Sequence, residues 1–176
     1  MPNYHQIRTD DMLNGDGLRV VLFLSGCNHH CENCHNIETW DECSGYPLTS
    51  EACADIITEL KKDYISGITF SGGDPLHPNN VDLVNSLIAY IRTHFPDKTI
   101  WLYTGYTLED ICRSADDSCS ETMKRLNIVM SVDVLVDGKF EQALADVNYP
   151  WAGSTNQRII DIPNSLKAQQ IILYKS

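Results

Sequence analysis

Three cysteines, Cys27, Cys31 and Cys34, form a C-x3-C-x2-C run that can wrap its sulfurs around one metal centre. Thiolates are soft ligands that favour zinc or iron–sulfur clusters, and four sulfurs normally fill either kind of site. Three thiols in one run leave a coordination position open, and an open position on a metal is where chemistry takes place. The run therefore predicts a reactive cluster.

A structural zinc site, completed by Cys43, His30 or His35, is the alternative interpretation of the same run. Zinc modules more often present two separated pairs of ligands than one compact triplet. A fourth protein ligand would close the site and remove its reactivity. The two histidines inside the run, His29 and His30, are more typical of a solvated polar loop than of a metal site.

The other cysteines show no ligand pattern. Cys53 falls on a predicted helix and is typical of a small packed hydrophobe, whereas Cys112 and Cys119 lie in an acidic helical region. The chain contains seven cysteines, an odd number that fits poorly with a fully paired disulfide framework. The N-terminal region lacks the pattern of a signal peptide, so we expect a cytoplasmic protein whose clustered cysteines bind metal.

Length and charge narrow the possible partners. A chain of 176 residues suits one domain with a substantial core, so we expect a single domain over residues 1–176. No segment approaches the roughly 20 apolar residues of a membrane span, and we expect no membrane partner. The net charge is −11 without any basic block, which weighs against a nucleic-acid partner because its phosphates would be repelled.

A second motif, Ser71-Gly72-Gly73-Asp74-Pro75, follows a predicted strand. Paired glycines at a strand end let a polar ligand approach the backbone N–H and C=O groups closely. An ordinary turn between a strand and a helix is the simpler interpretation of a Gly-Gly pair taken alone. No Lys-Ser/Thr pair follows, so the motif is not a phosphate loop. Its pairing with the cysteine run supports a binding role.

The elements that must position these motifs alternate between strands and helices. Apolar, β-branched runs predict strands at residues 19–25, 67–70, 99–103 and 130–136, with further strands at 158–162 and 170–174. Apolar periodicity predicts helices at about 50–63 and 80–94, and one or two helical pieces over 108–126 that are broken at 116–120. Residues 1–18 show little periodicity, and residues 39–47 are typical of a loop.

Alternating strands and helices predict parallel βαβ units. The cysteine run and the Gly-Gly motif each follow a strand, and functional residues of α/β proteins collect at the carboxyl ends of parallel strands. We therefore expect both motifs on one rim of an α/β fold. About five to six mostly parallel strands allow a partial (β/α) barrel or an open sheet, but not a complete eight-unit barrel.

The ordered set of motifs resembles the radical S-adenosylmethionine superfamily and, within it, the activators of anaerobic ribonucleoside-triphosphate reductases. The resemblance covers residues 3 to 160 approximately, and it implies a partial (β/α) barrel of that superfamily's type. Besides the two motifs above, it rests on Asn14-Gly15, Phe23-Leu24-Ser25-Gly26, Cys34-His35-Asn36, Thr39-Trp40, Trp101-Leu102-Tyr103-Thr104-Gly105-Tyr106, residues 134–140 and Gly153-Ser154-Thr155-Asn156-Gln157-Arg158.

The resemblance implies a 4Fe-4S cluster held by Cys27, Cys31 and Cys34, with S-adenosylmethionine on the fourth iron. Reductive cleavage of that cofactor would release a 5′-deoxyadenosyl radical, which would install a glycyl radical on the anaerobic reductase. A low-potential electron donor such as flavodoxin is implied as well. The residues implied to contact the cofactor are Asn33, Cys34, His35, Gly72, Gly73 and Asp74.

The chain departs from the family pattern at several positions. Asn33 stands where the superfamily often has an aromatic residue, and His35 stands where tyrosine is usual. Asp16 replaces a usual proline, which is expected to loosen its glycine-rich turn. The tail after Asp161 lies beyond the resemblance and receives no function. An activase for a formate-lyase-type enzyme and a non-catalytic zinc or iron–sulfur protein are the competing interpretations.

Overall fold

A computed structural model describes residues 1–114 and 120–175 of the chain. Its strands are β1 (Asn3–Asp11), β2 (Arg19–Leu24), β3 (Tyr46–Pro47), β4 (Gly67–Gly72), β5 (Thr99–Tyr103), β6 (Val134–Asp137) and β7 (Arg158–Asp161). Its α-helices are α1 (Ser50–Leu60), α2 (Val81–His94), α3 (Leu108–Ser114), α4 (Ser120–Met130) and α5 (Ile162–Ala168).

The described strands form one seven-stranded sheet with the order β3-β1-β2-β4-β5-β6-β7. Its middle is parallel, because β2, β4, β5 and β6 pair side by side in the same direction. Its flanks are antiparallel, with β1 and β3 on one side and β7 on the other. The predicted α/β class is confirmed. The predicted number of strands, about five to six, is too low, because the sequence does not reveal the two strands of one antiparallel flank, β1 and β3.

Five of the buried elements lie where the sequence predicts them, namely β2, β4, β5, α1 and α2. Every residue of β2 is buried, as expected for a parallel strand that is covered on both faces. β4, β5, α1 and α2 lie within or close to their predicted ranges. The Thr49 side chain accepts a hydrogen bond from the Ala52 N–H, which satisfies a free donor at the start of α1.

The sequence does not reveal β1 or β3. Most residues of β1 are exposed or half-buried, so the strand lacks the alternation of apolar and polar residues that identifies a strand from sequence. The two-residue β3 pairs with the start of β1, inside the range for which the sequence predicts a loop. Both strands are therefore defined by their neighbours rather than by their own composition.

Two strand predictions near the C-terminus are corrected by the structure. α4 continues to Met130, so β6 begins at Val134 rather than at residue 130. Residues 170–174 form no strand and contribute one isolated bridge, between Leu173 and Ile160. The predicted break at 116–120 lies outside the described residues apart from Ser120, and Cys119 lies outside them too.

α5 is a helix that the sequence does not predict. It begins because the Asp161 side chain accepts a hydrogen bond from the Asn164 N–H, and Pro163 lies in the first turn, where a missing N–H costs nothing. It ends at Gln169, which adopts a left-handed conformation. No helix in the described part of the chain has the length and apolar character that a membrane crossing requires.

Helices and loops cover opposite faces of the sheet. Side chains alternate between the faces along a strand, so Leu102 packs beneath the helices while its neighbours Trp101 and Tyr103 pack on the other face. The buried apolar residues of α1 to α5 all belong to the core on the first face. Loop and tail residues pack against the second face, namely Tyr149, Trp151, Ala152 and Tyr174.

Candidate metal centre

The structure brings most of the predicted site residues together around one cavity of about 750 Å³. The cavity lies where β2, β4, β5 and β6 end, because parallel strands present their carboxyl ends at one edge of a sheet. Asp74 does not line this cavity and is 1% exposed. The predicted residues that do line it are Cys27, Cys31, Asn33, Cys34, His35, Gly72 and Gly73.

Left-handed backbone conformations fold the cysteine loop into a compact shape. Gly26, at the exit from β2, has a φ of 97°, and within the loop His30 and Asn33 have φ values of 47° and 54°. Asparagine tolerates this conformation better than most residues, so it suits position 33. The Cys34 N–H donates to the Cys31 carbonyl oxygen at 3.1 Å and closes a tight turn between these two cysteines.

All three thiols of the run are free and partly exposed. Burial raises the pKa of Cys27 to about 11, and it also raises the pKa of Cys31. Metal ligands are thiolates, so a metal centre that binds here must displace these protons. The Asn36 N–H donates to the Cys34 sulfur at 3.4 Å.

The thiols are not arranged as in a closed zinc site. In residues 1–114 and 120–175, no three histidine, cysteine, aspartate or glutamate side chains lie close enough to hold a single metal ion. Cys43 is exposed and does not line the cavity, and the exposed His30 packs against Trp40 with ring centres 4.7 Å apart. Three soft thiols on one loop fit a four-iron cluster, which spaces its ligands further apart than one ion does.

Gly72 and Gly73 are required by close packing between strand ends. Gly72 has a φ of 95°, and a Cβ atom there would lie 2.7 Å from the backbone of Leu24. A Cβ atom on Gly73 would lie 2.5 Å from the carbonyl oxygen of Gly26. The same closeness places the Gly-Gly turn beside the start of the cysteine loop, so that both line one cavity.

Asp74 is the centre of a buried hydrogen-bond network. Its carboxylate accepts hydrogen bonds from the Leu76 N–H at 2.8 Å, the Thr104 hydroxyl at 3.0 Å and the Gly105 N–H at 3.1 Å. His29 Nε2 lies 2.6 Å from the same carboxylate. The side chain of Asp74 is thus directed at protein donors, and its contact with a cofactor stays a prediction.

The chain is similar to proteins of known family over most of its length. Residues 13–160 match the family described as a 4Fe-4S single cluster domain. The anaerobic ribonucleoside-triphosphate reductase-activating protein of Vibrio cholerae is 45% identical over 159 residues, which cover 89% of this chain and 96% of that protein. The chain belongs to this family of activating proteins. Its counterpart in Escherichia coli K12 is 43% identical over 157 residues, covering 88% and 96% of the two chains. That of Enterobacteria phage T4 is 41% identical over 157 residues, covering 89% and 92%.

His29 is a site residue of this activating protein that sequence reasoning misses. Its interpretation as a solvated loop residue is wrong, because only 8% of its side chain is exposed. The ring packs edge-on against Tyr106, with ring centres 4.5 Å apart. The available signal was Thr104-Gly105 directly after a predicted strand, since a glycine there leaves room for a neighbouring side chain.

The C-terminal tail of the activating protein, beyond the family match, reaches the wall of the cavity. Trp151 lines the cavity and packs edge-on against Trp101 and Tyr174, at 5.2 Å and 5.8 Å between ring centres. The Tyr174 hydroxyl donates to the Asp16 carboxylate at 3.0 Å. The turn that contains Asp16 is therefore tied to a segment that follows the matched residues 13–160.

Proposed function

We propose that the chain activates an anaerobic ribonucleoside-triphosphate reductase as a radical S-adenosylmethionine enzyme. The observation that carries the proposal is one cavity lined by three free thiols and by the Gly72-Gly73 turn. When bound, a 4Fe-4S cluster and S-adenosylmethionine would supply the radical chemistry: reductive cleavage to a 5′-deoxyadenosyl radical, which would take a hydrogen atom from a glycine of the reductase. The residues of the chain bind and orient these groups.

The cysteine loop would supply the ligands and one side of the cofactor site. Cys27, Cys31 and Cys34 would hold the cluster, which leaves one iron without a protein ligand. Asn33 and His35 line the cavity on either side of the last cysteine, where they would contact S-adenosylmethionine. Ligands that arise from one short loop with fixed turns would hold the cluster firmly beside the cavity.

The end of β4 would supply the opposite side of the cofactor site. The carbonyl oxygen of Gly72 accepts a hydrogen bond from the Asn36 side chain at 3.2 Å, which ties this turn to the cysteine loop. Gly73 donates its N–H to Leu24 at 2.7 Å, so the turn is fixed before any ligand binds. A rigid turn beside the cluster ligands suits a cofactor that must bridge both.

The opening of the cavity suits a protein substrate. The cavity volume of about 750 Å³ lies within the roughly 300–1,000 Å³ that is typical of small-molecule sites. A small-molecule cofactor such as S-adenosylmethionine therefore suits it. Three lining residues at the opening, Met12, Leu13 and Val147, are 69%, 76% and 100% exposed. Exposed apolar side chains beside a cavity are typical of protein contact sites.

The proposal also includes the finer features that the resemblance implies. They are a partial (β/α) barrel, a single domain, a cytoplasmic location, and a low-potential electron donor such as flavodoxin. The parallel centre of the sheet supports the first feature, since its strands place the thiols and the Gly-Gly turn at their carboxyl ends. The electron donor follows from the reductive step.

Anaerobic reconstitution with iron and sulfide, followed by reduction in the presence of S-adenosylmethionine, tests the chemistry. We expect 5′-deoxyadenosine to form, and we expect Cys27→Ala, Cys31→Ala and Cys34→Ala each to abolish its formation together with the cluster absorption. Cys43→Ala is the control and should retain both. A reconstituted wild-type protein that forms no 5′-deoxyadenosine would refute the radical mechanism.

Electron paramagnetic resonance identifies the protein substrate. We expect a glycyl radical in an anaerobic ribonucleoside-triphosphate reductase mixed with the reduced protein and S-adenosylmethionine. A formate-lyase-type enzyme under the same conditions is the control and should give no radical. The opposite result would assign the chain to the formate-lyase activases.

A further inference from the structure

We propose that His29 is a positioning residue that locks the cysteine loop onto the end of β5 through the carboxylate of Asp74. The inference rests on the proposed function, because it assigns the lock the task of fixing the cluster ligands relative to the cofactor site. The histidine lies inside the C-x3-C-x2-C run, and the aspartate lies in the Gly-Gly motif. One hydrogen bond thus joins the two motifs directly.

The contact between the two side chains is short and protected from solvent. His29 Nε2 lies 2.6 Å from Asp74 Oδ2, and the side chains are 8% and 2% exposed. An ionised carboxylate only accepts hydrogen bonds, so the histidine donates from Nε2. Hydrogen bonds to charged acceptors are stronger than those between neutral groups, and burial strengthens them further.

The histidine ring is held by shape as well as by its hydrogen bond. A Cβ atom on Gly105 would lie 2.4 Å from His29 Cδ2, so the backbone after β5 is free of a side chain where the ring packs. Tyr106 packs edge-on against the same ring at 4.5 Å between ring centres. The Gly105 N–H donates to the same carboxylate oxygen of Asp74 as His29 does.

The remainder of the network fixes Asp74 itself. The Asp74 N–H donates to the Gly26 carbonyl oxygen at 2.7 Å, and the Asp74 carbonyl oxygen accepts from the Asn80 side chain at 2.9 Å. The same Asn80 side chain also donates to the Ser25 carbonyl oxygen at 2.9 Å. Asp74 is therefore anchored to the end of β2 and to the start of α2, and His29 adds the cysteine loop to that anchored unit.

Because His29 lies between the first two cysteines, its hydrogen bond to Asp74 affects the position of both sulfurs. Cys27 and Cys31 flank the histidine symmetrically in the sequence, so holding its ring restrains the backbone that carries both sulfurs. A site performs its chemistry only when its groups keep a fixed geometry, and small misplacements cost large factors in rate. Without the lock, the loop is free to shift relative to the Gly72-Gly73 turn.

The adjacent histidine provides a matched control in the same loop. His30 is exposed, packs on Trp40 rather than on the network, and has a φ of 47°. Asparagine tolerates that backbone conformation, so His30→Asn changes the side chain without straining the loop. The asparagine of His29→Asn is too short for its amide N–H to reach Asp74. The glutamine of His29→Gln is longer and brings its amide N–H closer to the position of the histidine Nε2.

The test compares His29→Asn, His29→Gln and His30→Asn with the wild-type protein, all reconstituted anaerobically. We expect His29→Asn to lower kcat/KM for 5′-deoxyadenosine formation about 10–100-fold and to alter the electron paramagnetic resonance spectrum of the reduced cluster with S-adenosylmethionine. His29→Gln should recover much of both, and His30→Asn should match the wild type. A His29→Asn variant that behaves like His30→Asn would overturn the lock, and so would a His29→Gln variant no better than His29→Asn.

Hydrogen exchange in the full chain before reconstitution separates this inference from the proposed function. The Cys34 N–H donates to the Cys31 carbonyl oxygen, and the Cys27 N–H donates to the Trp40 carbonyl oxygen. The exchange of both N–H groups therefore reports on opening of the cysteine loop. We expect faster exchange at both in His29→Asn and wild-type exchange in His30→Asn. Equal exchange in the two variants would refute the lock even if the wild-type protein forms 5′-deoxyadenosine. A wild-type protein without that product would refute only the proposed function.

Discussion

Two buried charged residues lie at opposite ends of the parallel strands and serve different purposes. Arg19 begins β2 and is fully buried, whereas Asp74 follows β4 and is 1% exposed. In the described part of the chain, no carboxylate lies within ion-pair distance of Arg19, and only His29 lies within that distance of Asp74. Each charge is stabilised mainly by hydrogen bonds to uncharged groups, which is the usual condition for burial of a charge.

The hydrogen-bond partners of Arg19 and Asp74 show which parts of the fold each residue holds together. The Arg19 guanidinium donates to the Thr69 hydroxyl, to the Ile68 carbonyl oxygen and to both side chain and backbone of Thr99, all within the sheet. Burial lowers its pKa to about 10, so it remains charged at neutral pH. Arg19 therefore joins the starts of β2, β4 and β5. Asp74, at the other end of the strands, joins the sheet to the cysteine loop.

Arg19→Leu should produce the largest loss of stability among the substitutions considered. Several carbonyl and hydroxyl oxygens lose a donor, and each unsatisfied buried group costs about 1–3 kcal/mol, so the free energy of unfolding should fall by roughly 3 kcal/mol or more. Urea denaturation of the protein before reconstitution measures this change. Arg8→Leu removes a partly exposed ion pair with Asp11 and should cost less than about 1 kcal/mol. Equal losses in the two variants would show that Arg19 does not join the strands.

Asp74→Asn should have a smaller effect on stability and a larger effect on the site. An amide has one acceptor oxygen and directs an NH2 group toward the donors of His29 and Gly105, so at least one donor loses its partner. We expect a loss of about 2 kcal/mol in unfolding free energy. Iron bound after reconstitution should also fall, whereas folded Arg19→Leu should bind iron as the wild type does. The reverse ranking of iron content would contradict the division between the two strand ends.

The sequence predicts those parts of the molecule whose signal is local. β2 is a continuous apolar run and α2 has a regular apolar face, and both lie where they are predicted. The sequence also predicts that the cysteine loop and the Gly72-Gly73 turn share a rim, because strand polarity alone places them there. These features depend on residues close together in the chain.

The features that escape prediction depend on partners that are distant in sequence. His29 and Asp74 are 45 positions apart, so a polar residue in a loop gives no indication of the carboxylate that buries it. Tyr174 and Asp16 are 158 positions apart. β1 is missed for a related reason, since its half-exposed residues become a strand only through pairing with β2.

Tyr174→Phe tests a hydrogen bond at the Arg19 end of the sheet. The variant keeps the ring against Trp101 but loses the bond to Asp16, so we expect a loss of about 0.5–1 kcal/mol at pH 7, measured by urea denaturation. Burial, followed by the hydrogen bond to Asp16, raises the pKa of Tyr174 in the folded protein. The wild type should therefore lose this stabilisation as pH rises above about 10, the ordinary tyrosine value. Tyr174→Phe should lack that loss, and an identical decline in both proteins would contradict the assignment.

A third buried charge, Asp137 at the end of β6, differs from the first two because it has a strong counterion. Arg158 donates to Asp137 at 2.9 Å and, through both terminal nitrogens, to Glu109 at 2.8 Å and 2.6 Å. The hydrogen bond from Arg158 lowers the pKa of Glu109 from 4.5 to about 2, against a smaller opposing effect of burial. Glu109 therefore stabilises the fold above pH 4.5, and this contribution is lost as pH falls toward 2.

Glu109→Gln should have a small effect, no larger than that of Tyr174→Phe. Its side chain is 51% exposed, so solvent screening limits the loss to less than about 1 kcal/mol at pH 7. Urea denaturation between pH 7 and pH 2.5 should show that the variant and the wild type differ less in free energy of unfolding below pH 4.5. The reason is that the wild-type carboxylate becomes protonated in the unfolded chain at a higher pH than in the folded one. Glu38→Gln, at a position without an ion pair in the described residues, should give no such pH dependence. A constant difference across that range would mean that the pairing with Arg158 does not carry the effect.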